Sequence, residues 1–306
     1  MLEAVRLSRR FGDAVAVDDV SLAVAPGKLV GFVGPNGAGK TTTLRMLMGI
    51  TAPDGGEIRV DGRPVTPAER AQFGYLPEQR GLYVRMRVRE QLVYLARLHG
   101  ADTGTAEAAA ARWLHRLGLE GRAESRIQEL SHGNQQRVQL AAALVHEPSY
   151  LLLDEPFNGL DPVGVAALAE VLRERAEAGT AVLLSSHQLD LVETLCEVVW
   201  IVDAGRIVAS GTIDALAAGA PRLVVVEVDG GGTDWVGGVP AATVIEAAGS
   251  RVRLLLDDGA DPQDVLAAAI DAGPVVHFAV ERPRLSEIFL EAVEASAAAP
   301  ALGVAA

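Results

Sequence analysis

Cysteine and lysine are scarce in this chain, and long apolar runs are absent. Cys196 is the single cysteine in 306 residues, so there is no disulfide framework and no cysteine-built zinc site. Set in the stretch Leu191–Cys196, which reads as helical, it is expected to be a small buried apolar residue. Of the 27 cationic residues only Lys28 and Lys40 are lysines, and 40 acids outnumber them for a net charge of −13. That balance argues against nucleic acid as the main partner, because phosphate backbones select basic surfaces. Long apolar runs are missing too. None approaches the roughly 18 residues of a membrane-crossing helix, and Val198–Val202 is closed off by Glu197 and Asp203. Glu3, Arg6, Arg9 and Arg10 come too early for a secretory leader. The expectation is a cytosolic protein that meets a membrane only through partners.

What is present is a foldable chain with 49% hydrophobic residues, ample for a packed core and long enough for one large and one small domain. Residues 1–218 alternate short apolar runs with amphipathic stretches, the mark of an α/β domain with a mainly parallel sheet. The strand candidates are Leu29–Val33, Tyr150–Leu153, Ala181–Ser185 and Val198–Val202, nearly all apolar as befits strands covered on both faces. Helices are expected over Gly39–Met48, Glu90–Leu98, Thr105–Leu117, Gly133–Val145 and Val163–Ala178. The first 28 residues, punctuated by Gly12, Pro26 and Gly27, read as flanking antiparallel strands. Ala217–Pro221 reads as a linker. Residues 219–293 then alternate short strands with helices near Pro262–Ala272 and Leu285–Val293, a small α+β accessory domain. Residues 294–306 are an alanine-rich tail expected to be frayed and flexible.

Three segments carry chemistry. Gly34-Pro35-Asn36-Gly37-Ala38-Gly39-Lys40-Thr41-Thr42 has the spacing of a phosphate-binding loop, directly after an apolar strand and opening a helix. Its glycines let backbone N–H groups curl around an anion, and the helix N-terminus adds partial positive charge. Lys40 is placed to reach the outer phosphates of ATP, and the Thr41 hydroxyl to ligate Mg2+. The second segment, Tyr150-Leu151-Leu152-Leu153-Asp154-Glu155, is a strand ending in two carboxylates. Asp154 is expected to hold the metal through its water shell, and Glu155 to polarise the attacking water. The third, Leu183-Leu184-Ser185-Ser186-His187, ends an expected neighbouring strand in a histidine able to touch the γ-phosphate.

A further segment narrows the choice among nucleotidases. Leu130-Ser131-His132-Gly133-Asn134-Gln135-Gln136, with a helix behind it, resembles the signature of ATP-binding-cassette (ABC) proteins, usually Leu-Ser-Gly-Gly-Gln. Ser131 suits a helix cap and Gly133 a close backbone approach. The resemblance implies that Ser131, Gly133, Asn134 and Gln135 face ATP held by a second ATPase subunit, a homodimer being the simplest case. Phe11 resembles the family's adenine-stacking aromatic, and Asn158-Gly159-Leu160-Asp161 its interface loop. Tyr75-Leu76-Pro77-Glu78 stands where the family usually has glutamine. Glu78 is therefore the expected metal contact, with Gln79 a shifted alternative. Together with Arg284-Leu285-Ser286-Glu287-Ile288-Phe289, these variants resemble ATPases of ABC-2-type exporters of the sodium-efflux and drug-resistance kind, whose transmembrane permease subunits are separate chains. The fold implied is the P-loop ABC ATPase: a mainly parallel core sheet, an antiparallel β subdomain, a helical subdomain and a small C-terminal α+β domain. The segment Arg80–Glu90 would dock the permease at the cytoplasmic face of the membrane. Within it the run Arg85-Met86-Arg87-Val88-Arg89 reads equally as part of that groove or as a solvated basic face. An importer ATPase with a regulatory C-terminal domain is the alternative. A DNA or ribosome clamp fits the acidic, single-cassette chain poorly.

Overall fold

The apolar runs at Leu29, Tyr150 and Ala181 become strands in which every residue is buried, because helices cover both faces of the sheet they form. In the computed structural model the described residues are 1–79, 81–218, 222–230, 233–239, 241–257 and 259–298. They divide into two compact units, Met1–Gly211 together with residues 296–298, and Thr212–Ala295.

The first unit opens with the antiparallel pair β1 (Leu2–Phe11) and β2 (Ala14–Val24), followed by β3 (Leu29–Val33) and α1 (Lys40–Met48). β4 (Gly55–Val60) and β5 (Arg63–Pro64) complete a four-stranded sheet of order β2-β1-β4-β5. After the short α2 (Pro67–Arg70) come β6 (Phe73–Leu76), α3 (Val88–Leu98), α4 (Thr103–Arg116) and α5 (His132–Leu144). These last three helices pack on one another. Then follow β7 (Tyr150–Asp154), α6 (Pro162–Glu177), β8 (Ala181–Ser186), α7 (Leu189–Leu195), β9 (Val198–Asp203) and β10 (Arg206–Thr212). The core sheet runs β10-β9-β3-β8-β7-β6, and β9, β3, β8, β7 and β6 pair in parallel. The ends of β3, β7 and β8 thus share one edge, where open α/β sheets bind ligands. This is the mainly parallel sheet with antiparallel and helical subdomains that the motifs imply.

Helix starts follow local chemistry. Asp161 caps α6 by accepting from Gly164 N at 2.7 Å, with Pro162 in the first turn. Asp161→Ala is expected to cost about 1 kcal/mol of folding free energy, read as a lower urea midpoint at unchanged slope. An unmoved midpoint would mean that the cap adds nothing measurable.

The second unit contains α8 (Ile213–Ala218), β11 (Leu223–Val228), β12 (Ala242–Ala248), β13 (Arg251–Leu256), α9 (Pro262–Ala272), β14 (Val275–Glu281) and α10 (Leu285–Ala298). Its antiparallel sheet has the order β12-β13-β11-β14. Val224, Val226, Val252 and Leu254 meet Val265 and Ala269 of α9 in a core of its own.

Several expectations need correcting. The second unit starts at Thr212, ahead of α8, whereas the sequence places the division after residue 218. Ala217 and Ala218 are helical rather than linker, and 219–221 lie outside the described residues. Residues 294–298 belong to α10, because alanine is the strongest helix former; the rest of the expected tail, 299–306, lies outside the described residues, as does Arg80. Cys196 is buried, and burial pushes its thiol pKa up. It follows α7 as an extended C-cap rather than standing inside the helix.

Candidate functional site

The turn from β3 into α1 is built around glycines that no larger residue could replace. A Cβ on Gly34 would lie 2.3 Å from the Val202 carbonyl oxygen. One on Gly39, at φ +98°, would lie 2.4 Å from that of Ala16. The loop bends tightly enough that Lys40, buried, folds its Nζ back onto the carbonyl oxygens of Gly34 at 2.6 Å and Pro35 at 3.1 Å. The cation is thereby held inside the loop at the start of α1.

A cleft of about 290 Å³ opens over this turn, lined by Ala16, Asn36, Gly37, Gly39, Lys40, Thr41, Thr42, Glu78 and Glu155. Four separate parts of the chain therefore converge here: Ala16 of β2, the loop after β3, the residue after Pro77 and the residue after β7. Lys40 Nζ stands 3.8 Å from Glu155 Oε1, with both side chains only 7% exposed. His187, just past β8, reaches the other carboxylate oxygen, Nδ1 to Oε2 at 2.9 Å. The sequence expectation that His187 follows a strand neighbouring the acid pair holds, since β7 and β8 pair directly.

Glu155 adopts a left-handed backbone, φ +51°, at a cost of roughly 1–2 kcal/mol for a residue with a Cβ. The conformation turns the chain off the strand while its own N–H donates to Ser185. Asp154 is fully buried. Its Oδ1 accepts from Ser185 Oγ at 2.7 Å, while its Oδ2 has no hydrogen-bond partner. Such an orphan lone-pair oxygen in a buried site is costly unless a ligand satisfies it. Nearby Tyr75 is affected by the same charge: burial and then Asp154 push its phenol up to about 12.

The remaining expected residues do not line this cleft. Phe11 ends β1, 52% exposed, with the Arg9 guanidinium 4.9 Å above its ring. Ser131 caps α5 by accepting from Asn134 N at 3.4 Å. Gln135 bonds the carbonyls of Ile127 and Leu130, and a Cβ on Gly133 would sit 3.7 Å from Gly159 O. Gly34, Pro35 and Ala38 shape the loop without lining the cleft, and Gln79 is also absent from its wall. Sequence reading missed Ser185, whose hydroxyl bridges Asp154 and the Glu155 amide, and Ala16, which reaches the cleft from β2. The serine pair that ends an apolar strand was the one signal for Ser185; Ala16 gave none.

Comparison with known proteins decides the family. A family model described as "ABC transporter" matches residues 17–158, and one described as "ATP-binding protein DrrA1-3-like, C-terminal domain" matches residues 211–293. The "Uncharacterized ABC transporter ATP-binding protein YhaQ" of Bacillus subtilis (strain 168) is 36% identical over 295 residues, covering 96% of this chain and 99% of that one. This chain belongs to the ABC transporter ATP-binding family. "Nod factor export ATP-binding protein I" of Paraburkholderia xenovorans (strain LB400) is 39% identical over 232 residues, 75% of this chain and 76% of that one. A solved "ATP binding subunit of ABC transporter" superposes with a TM-score of 0.67 at 34% identity, covering 71% of this chain and 92% of that one. The chain is thus an ATP-binding, ATP-hydrolysing subunit of an ABC transporter, a family whose cassettes work as dimers with membrane permease subunits. No helix among its described residues is long and apolar enough to cross a membrane.

Proposed function

We infer that this ABC ATPase drives export, closing as a homodimer over two ATP molecules and passing that motion to separate permease subunits at the cytoplasmic face of the membrane. The observation that supports the reading is the meeting of Lys40 and Glu155 in one cleft above the phosphate loop, with His187 hydrogen-bonded to the far oxygen of Glu155. In this reading residues 34–42 wrap the phosphates, Lys40 leaving its carbonyl partners to grip their outer oxygens. Phe11 supplies an exposed ring for adenine to stack on. Thr41, Glu78 and Asp154, whose Oδ2 lacks a partner, fit a magnesium ion as an all-oxygen donor set. When bound, the ion would neutralise charge developing on the transferred phosphoryl group. Glu155 polarises the attacking water, and His187 orients it from the other side.

Ser131, Gly133, Asn134 and Gln135 stand away from their own chain's cleft, as groups meant for ATP on a second subunit would. The division of labour proposed is catalysis by the first unit and an accessory role for the second, which begins at Thr212. Export is supported by the name of the Nod factor relative and by the C-terminal family match. For docking, Arg87 and Arg89 are partly neutralised by Glu124, at 2.9 and 3.1 Å. The exposed Tyr83 and Val84 beside them therefore offer a better contact than net charge does.

The deciding experiment traps the Glu155→Gln protein with ATP and magnesium in detergent-solubilised source membranes and identifies what co-purifies. A polytopic permease of exporter type is the expected companion. Recovery of an importer permease, or of ribosomes or DNA, would overturn the reading.

A further inference from the structure

We propose that Gln136 and Gln139 form a strut that ties the Ser131-capped helix to both catalytic loops of its own subunit, making them positioning residues of the ATPase. The proposal rests on reading Glu155 and Glu78 as the water- and metal-directing carboxylates. Both glutamines lie on α5 one turn apart, so they share a face. Both are buried, at 5% and 3% exposure. Gln136 Nε2 donates to the carbonyl oxygen of Pro156 at 2.8 Å, and Gln139 Nε2 donates to that of Pro77.

The partners are what make these bonds informative. Pro156 follows Glu155, and Pro77 precedes Glu78. The Pro77 carbonyl shares a rigid peptide plane with the Glu78 N–H, so fixing its oxygen fixes the direction in which Glu78 leaves β6. Pro156 has a locked φ, so holding its carbonyl braces the turn in which Glu155 keeps its left-handed backbone (φ +51°). Such a conformation persists only where its surroundings over-determine it.

A buried glutamine on an α-helix needs a reason, because burial costs the amide its water. Gln139 is only half satisfied: its Oε1 is buried with no partner, so the side chain bears a desolvation cost while its N–H grips Pro77. A leucine would fill the same space without that cost, which points to the tether as the gain. Displacement of the α5 N-terminus, where Ser131 and Gly133 sit, would then move both carboxylates together.

The two arms have separate readouts. Gln139→Met keeps side-chain length and removes the donor. It is expected to weaken Mn2+ binding about tenfold, the scale on which outer-shell partners act, by electron paramagnetic resonance with a non-hydrolysable ATP analogue. At saturating metal its single-turnover hydrolysis should stay near wild type. Gln136→Met should do the reverse, slowing single-turnover hydrolysis about tenfold while leaving Mn2+ affinity unmoved. Gln139→Leu and Gln136→Leu serve if the methionine variants fold poorly, and thermal midpoints are recorded for all.

If both variants leave both readouts unchanged, the strut is wrong. If both lower the two readouts alike, in step with thermal stability, the glutamines are only packing. A Glu78→Ala control separates the underlying reading. Should it leave Mn2+ affinity unmoved, Glu78 is no metal contact and the Gln139 arm falls with it. Should it weaken Mn2+ binding while Gln139→Met does not, only the strut falls.

Discussion

Glu155→Gln should lower steady-state ATPase turnover by roughly 10²- to 10⁴-fold while leaving ATP binding nearly intact. The substitution preserves shape, and the amide can still meet His187 Nδ1, 2.9 Å from Oε2. What it removes is the negative charge that pulls a proton from water and that faces the buried Lys40 ammonium 3.8 Å away. The geometry also constrains His187. While Nδ1–H donates to an ionised Glu155, a neutral ring leaves Nε2 as an acceptor only. To donate to a phosphate oxygen as well, the ring must be the imidazolium, or its bond to Glu155 must break. Either way the two side chains work as a pair, so His187→Ala and Glu155→Gln should be far from additive. Phosphate release, set beside equilibrium binding of a fluorescent nucleotide, makes the comparison. Turnover in Glu155→Gln within tenfold of wild type would remove Glu155 from the base role.

Four of the six core-sheet strands were legible almost to the residue because burial on both faces forces continuous apolar runs: Leu29–Val33 matches β3, and Val198–Val202 falls one residue short of β9, whereas the edge strands β6 and β10 were not foreseen. The phosphate loop was legible for a different reason. Its glycines answer a steric demand, and Lys40 is one of only two lysines. Less visible were features that depend on tertiary neighbours. Nothing local announces that Glu155 turns left-handed; that follows from Ser185 holding its amide and from the turn at Pro156. Gln139 looks like an ordinary helix former until the carbonyl of Pro77, far earlier in the chain, is seen beside it. Near the C-terminus the error ran the other way. Alanine-rich sequence suggested fraying, yet alanine costs the least entropy in a helix, and α10 continues to Ala298. Ala217 and Ala218, expected as the start of a linker for their small side chains, instead end α8, whose first turn is anchored by Ala215 N donating to Thr212 Oγ1 at 3.1 Å.

Lys40→Met is expected to cut ATP affinity by at least roughly 100-fold, with the chain still folded. A charge-assisted hydrogen bond contributes about 1.5–3 kcal/mol, or roughly ten- to a hundredfold in binding, and an ammonium at this position can serve two phosphate oxygens. In the nucleotide-free loop the ammonium already has partners, the carbonyls of Gly34 and Pro35. Binding therefore trades neutral acceptors for charged ones, and the gain is the difference between the two. That trade sets the sign of the control as well. Methionine matches the lysine stem in bulk but leaves the buried Gly34 carbonyl without its donor, a folding cost of about 1–3 kcal/mol that must be read beside the loss of binding. The buried Glu155 loses a neighbouring cation but keeps His187 at 2.9 Å, which limits the penalty for an unpaired buried carboxylate. Affinity measured on folded protein, alongside a urea midpoint, separates the two effects. If affinity held within threefold while stability fell sharply, Lys40 would be a structural pin between loop and Glu155, and the cleft above it would need another ligand.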